Sequence, residues 1–158
     1  MELDAFLCNH AEAVNNLLYV AGGGVNIGFT QPDAGPPYPV NLGIAMMVTV
    51  PWAQTNQQHQ VEIELLNEDG QAVQLPTAPD ATTPLQIRLA FNVGRPAAVA
   101  VGDDQIVSLA ANLATVPLPA IGKYIFVVRI DGHDERTLAY RVMPPPGGQI
   151  TVSRALPG

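Results

Sequence analysis

Proline and glycine cut this chain into strand-length pieces, and that constrains its fold more than anything else. Fourteen glycines and fifteen prolines stand among 158 residues. They gather at residues 22–24, 32–39, 76–84 and 144–148 instead of scattering through the apolar runs. Both residues end strands and make turns, so short apolar runs between such clusters predict an all-β domain. The length suits one domain with a real core.

The runs carry a period of two. Val61, Ile63 and Leu65 alternate with Glu62 and Glu64, the pattern of a half-buried strand. The segment Asn67-Glu68-Asp69-Gly70 follows as a turn, and residues 71–75 are expected to return beside the first strand. Leu85, Ile87, Leu89 and Phe91 share a face, with Arg88 opposite. Tyr124, Phe126, Val128 and Ile130 alternate with Ile125, Val127, Arg129 and Asp131; Asp131-Gly132 turns the chain, and Leu138, Tyr140 and Val142 point the next strand inward. Residues 42–50 are apolar on both faces, which suits a central strand ended by Pro51. Residues 9–18 and 106–115 fit helix or strand; a strand is expected for the second. Eight to ten strands make an antiparallel β-sandwich of immunoglobulin-like or related topology over residues 1–143. Gly122-Lys123-Tyr124 before a strong strand resembles the tyrosine corner of such sandwiches. A Pro/Gly tether and a C-terminal arm, residues 144–158, follow; Gln149, Ile150, Thr151 and Val152 are expected to pair with a sheet edge, its own or a neighbour's.

Charge narrows the partners. Lys and Arg total 7 against 14 Asp and Glu, a formal charge of −7. Phosphate backbones and anionic membranes call for basic stripes, so nucleic acid and membrane are not expected as partners. The start of the chain lacks the basic then apolar pattern of an export signal, and the single Cys8 cannot close an internal disulfide. A cytoplasmic location is the expectation.

Candidate chemistry is sparse. Cys8, His10 and Glu12 would share a face of a strand, as a metal site or a Cys–His nucleophile requires, yet no second Cys or zinc spacing accompanies them. A buried structural cysteine is the simpler reading. Gly22-Gly23-Gly24 with Gly28 matches neither phosphate-binding spacing, and a glycine bend explains it. The carboxylates of Asp131, Asp134 and Glu135, like Asp103-Asp104, read as solvated turns without calcium-loop spacing. Ser108 has no nucleophile elbow around it, and no cofactor is expected. Trp52, beside a run of amides with Asn56 and His59, has the make-up of a sugar site or a protein hot spot.

The pieces Leu3 to Cys8, Asn16 to Gly24, Val50-Pro51-Trp52 with Asn56 and His59, Glu62 to Gly70, and Gly122 to Gly132 stand in one order. Together they resemble a family of uncharacterised bacterial proteins, mostly actinobacterial, of about this length. That resemblance implies a stand-alone domain and brings no activity and no catalytic residue. With 47% hydrophobic and 13% charged residues, apolar surface is expected to stay exposed, and the expected function is non-enzymatic: a protein-interaction or self-assembly module, a homo-oligomer in its simplest form. The alternatives are a small-ligand or carbohydrate binder centred on Trp52, and a structural component of a larger particle such as a phage or shell. A metal-dependent enzyme using Cys8, His10 and Glu12, or the Asp131 turn, is a further reading.

Overall fold

The computed structural model describes residues 1–31 and 33–146. Among them the chain forms eleven strands: β1 (Glu2–Val14), β2 (Leu17–Gly23), β3 (Ile27–Phe29), β4 (Tyr38–Val50), β5 (Gln58–Asn67), β6 (Gln74–Ala78), β7 (Ala81–Pro84), β8 (Gln86–Asn92), β9 (Gln105–Leu118), β10 (Gly122–Ile130) and β11 (His133–Met143). The one helical element among the described residues is a 3₁₀ turn, Trp52–Gln54. One sheet has the order β2-β1-β4-β9 and the other β3-β11-β10-β5-β8, while β6 and β7 form a small separate ribbon. All pairings are antiparallel except β3 with β11.

The core lies between the two large sheets, and alternation selects its members. Leu42, Ile44, Met46, Val48 and Val50 come from β4; Val61, Ile63 and Leu65 from β5; Tyr124, Phe126, Val128 and Ile130 from β10. Each such side chain contributes roughly 1.5–3 kcal/mol by leaving water. The all-β sandwich read from the punctuation is the fold observed.

One open reading closes and two local readings change. Residues 9–18 are the end of β1, a two-residue turn and the start of β2, not a helix. Asn15 and Asn16 both take positive φ, 50° and 59°, the conformation that a two-residue hairpin turn demands and that asparagine tolerates. The return after Gly70 is brief: Ala72 bridges Leu66, and the Val73 N–H donates to the Leu65 carbonyl at 2.9 Å. The chain then leaves for the β6–β7 ribbon, because β5 is flanked by β8 on one edge and β10 on the other. Eleven strands replace the eight to ten expected.

The end of the β1–β2 hairpin turns over the outer face of β4 and β9. Cys8, Ala11 and Ala45 are buried there, with Leu18 and Ala110 packed against them. Gly43 permits this approach: a β-carbon at that position would lie 2.8 Å from Cys8 Sγ, 3.0 Å from Asn112 Oδ1 and 3.2 Å from the Ala11 nitrogen. Residues 42–46 of β4 are thereby buried on both faces, as their two-sided apolar sequence demands, while Met47 further along is exposed.

Candidate functional site

Pro51 ends β4, and the 3₁₀ turn that follows carries half-buried Trp52. The Arg95 guanidinium lies 4.6 Å from the ring centroid, a cation–π geometry. Its Nη2 donates to the Trp52 carbonyl at 2.9 Å, and its Nε donates to Thr55 Oγ1. Thr55 Oγ1 in turn donates to the Trp52 carbonyl at 2.7 Å. One face of the indole, where a sugar ring would stack, is therefore held by an arginine of the same chain.

His59 belongs to the inward phase of β5, two residues before Val61, and it is buried. Its Nδ1 lies 2.7 Å from Asp131 Oδ2 and its Nε2 lies 2.7 Å from the Gln54 carbonyl. Both neighbours are acceptors, so the charged imidazolium can donate from both ring nitrogens. Burial opposes the charged imidazole more than any other single influence. The Gln54 carbonyl and the Asp131 carboxylate together outweigh it and raise the His59 pKa above its ordinary 6.5. For Asp131, burial works against ionisation, but the Gln60 N–H at 2.9 Å and His59 hold its pKa below 3.8. In its charged state the ring has no lone pair free for a substrate proton. The pair is a structural clasp that joins the 3₁₀ turn to the β10–β11 hairpin.

Asn56 is exposed with φ of 60°, and its N–H donates to the Val93 carbonyl at 2.7 Å. The structure thus brings Trp52 and His59 together through backbone and clasp, and leaves the Asn56 side chain in solvent.

The other candidates separate. Cys8 is fully buried, and burial raises its thiol pKa most strongly. His10 turns outward and meets Glu12 at 3.1 Å across exposed surface. Asp131 is committed to His59, and Asp134 pairs with the Arg129 Nε. Asp103 and Asp104 lie exposed in the loop before β9. Among the described residues no group of three or more His, Cys, Asp or Glu stands where it could hold a metal ion. Gly22 and Gly24 take positive φ at the end of β2, the bend expected of them. Gln149, Ile150, Thr151 and Val152 lie outside the described residues.

Two asparagines do work that sequence reading missed. Asn16 Oδ1 accepts the Ser108 N–H at 2.9 Å and its Nδ2 donates to the Ile106 carbonyl at 2.6 Å. Asn112 Oδ1 accepts the Ala11 N–H at 3.1 Å and its Nδ2 donates to the Ala11 carbonyl at 2.7 Å. A carboxamide has the same donor and acceptor as a peptide unit, so each side chain imitates one rung of a β-ladder. The adjacent Asn15-Asn16 was the one available signal of the first.

Apolar side chains stand exposed on two neighbouring edges. Leu17 and Tyr19 of β2 are 59% and 54% exposed, and Phe29 of β3 is 59% exposed. The Asn26 carbonyl and Thr30 N–H bond to β11, so Gly28 also faces β11 and the backbone groups of Ile27 and Phe29 point outward. No helix among the described residues is long and apolar enough to cross a membrane. Neither a curated protein nor a solved structure matches the chain. Residues 3–143, from the first strand to the last residue of β11, match the family of unknown function DUF6941, and the chain belongs to that family.

Proposed function

We propose that the domain is a non-enzymatic, cytoplasmic interaction module that assembles with itself through the side of the sandwich carrying β2 and β3. The observation behind this is the pair of open edges. β2 ends one sheet and β3 ends the other, residues 24–26 join them, and both expose large apolar side chains. An unpaired edge with apolar side chains is a template for pairing with another chain. Repetition of that contact would also suit a component of a larger particle.

An immunoglobulin-like topology accords with this reading. Strands β1, β4 and β9 face β11, β10, β5 and β8, and the chain crosses between the two sheets repeatedly, from β2 to β3, β3 to β4, β4 to β5, β8 to β9 and β9 to β10. Tyr124, at the start of β10, donates its hydroxyl to the Ala120 carbonyl at 2.6 Å and accepts the Ala120 N–H at 3.1 Å. That bonding supports the tyrosine-corner reading.

The test is native mass measurement across a concentration series. The wild-type chain is expected at a multiple of 16.7 kDa. Phe29→Glu with Tyr19→Glu is expected to return it to the single-chain mass with an unchanged melting temperature. A chain of single mass at every concentration overturns the proposal. Removing residues 144–158 separates the contribution of the C-terminal arm.

A further inference from the structure

On the outer face of the larger sheet, carboxylates and cations are matched at one end and unmatched at the other. Arg129 pairs with Glu64 at 2.8 Å and with Asp134, and Arg88 pairs with Glu62 at 3.1 Å. Near the opposite end Lys123, the only lysine in the chain, stands directly across from Arg141. Like charges placed opposite each other repel. Neither side chain makes an ion pair or hydrogen bond to a described residue, whereas Arg88, Arg95, Arg129 and Arg136 all do. Acid is not scarce in a chain of −7. The reason is positional: β5 ends at Asn67, opposite Tyr124, so no strand residue faces Lys123 from that side.

Two grooves meet at Lys123. One, of about 190 Å³, runs between Lys123, Arg141 and Ile27. The other, of about 450 Å³, is walled by Val73, Pro119, Ala120 and Ile121, the last 44% exposed. Glu68 lines this second groove and makes no ion pair with Lys123. Apolar walls on both sides of two unmatched cations complement a chain that carries both apolar and acidic side chains.

We propose that this surface binds an extended acidic and apolar segment of a partner protein, with a carboxylate seated over Lys123 and Arg141 and apolar side chains in the grooves. A second copy docking by the same patch is disfavoured, because it would bring two more cations against these. The inference goes beyond self-assembly, since a single chain suffices to bind such a segment.

Fluorescence anisotropy with the full-length protein tests it. The probe is a fluorescein-labelled peptide alternating leucine and glutamate; the control replaces glutamate by glutamine. Saturable binding of the acidic probe is expected, weakened about tenfold by Lys123→Gln and again by Arg141→Gln. Ile121→Ser is expected to weaken it several-fold, and Lys123→Arg to retain it. The Lys123→Gln, Arg141→Gln double variant is expected to melt no lower than wild type, because it relieves a repulsion. Equal binding of the glutamine peptide, or binding unchanged in the double variant, overturns the proposal. So does full displacement by millimolar inorganic phosphate, which would mark a free-anion site, or the lack of saturable binding.

Discussion

Asn16, at the tip of the first hairpin, is fastened to Ser108 on the open edge of β9: its Oδ1 accepts the Ser108 N–H, and the Ser108 hydroxyl donates to the Asn16 carbonyl, each at 2.9 Å. The amide nitrogen of Asn16 adds a bond to the Ile106 carbonyl. A lone side chain thus occupies part of an edge that would otherwise be open to another strand.

Replacing Asn16 by Gly preserves the positive φ and removes the side-chain bonds. The expected cost is about 1–2 kcal/mol in urea unfolding at constant m. Asn15→Gly, one residue earlier in the same turn, is expected within a few tenths of wild type. Equal effects of the two changes would assign the role to the turn conformation alone.

The His59–Asp131 clasp sets a pH window. His59 has a raised folded pKa, so its contribution is complete below 6.5 and is lost as pH rises through the raised value. Asp131 has a lowered folded pKa, so its contribution is present above 3.8 and is lost as pH falls through the lowered value. Melting temperature is therefore expected to hold between these limits and to decline as pH rises above 6.5 through the raised value. Asp131→Asn keeps the turn residue's tolerance of positive φ and should flatten that alkaline decline. A decline of unchanged size in Asp131→Asn would remove the clasp as its cause.

Gly43→Ala is expected to destabilise by about 1–3 kcal/mol, because the new methyl meets Cys8, Asn112 and the Ala11 backbone together. Adding Cys8→Ala should recover part of the loss and no more, since the Asn112–Ala11 pairing stays. A double-mutant cycle measures the recovery. Full recovery would mean that the Asn112 clamp shifts at no cost.

Tyr124→Phe removes the hydroxyl that both donates to and accepts from Ala120 and leaves the ring in the core. Loss of about 1–3 kcal/mol is expected in chemical unfolding. A neutral result would make these two bonds bystanders of the fold.

What the sequence disclosed was local. The alternation of Val61, Ile63 and Leu65, the Asp131-Gly132 turn and the placement of Tyr124 all rest on neighbours within a few residues, and each stands where it was expected. His59 shows how two local signals can conflict. Its amide-rich surroundings suggested a ligand site, while its phase with Val61 placed it inside, and burial followed the phase. The asparagine clamps were illegible because their partners lie far along the chain, 101 residues apart for Asn112 and Ala11. Arg95 over Trp52 was hidden for the same reason, at a separation of 43 residues. The unmatched Lys123 and Arg141 became visible once the register set them opposite each other.

The separation between Asn16 and Ser108 also has a temporal meaning. Ninety-two residues divide the first hairpin from the strand on which it rests. At roughly 5–20 residues per second of synthesis, the hairpin leaves the ribosome about 5–20 seconds before β9 can receive it. During that interval Ala45 of β4 can already cover Cys8 and Ala11, but Ala110, Asn112 and Ser108 of β9 are not yet there to complete the contact. The first hairpin is therefore fully secured only when β9 arrives, and until then its exposed edge is one that a growing chain has to keep from its neighbours.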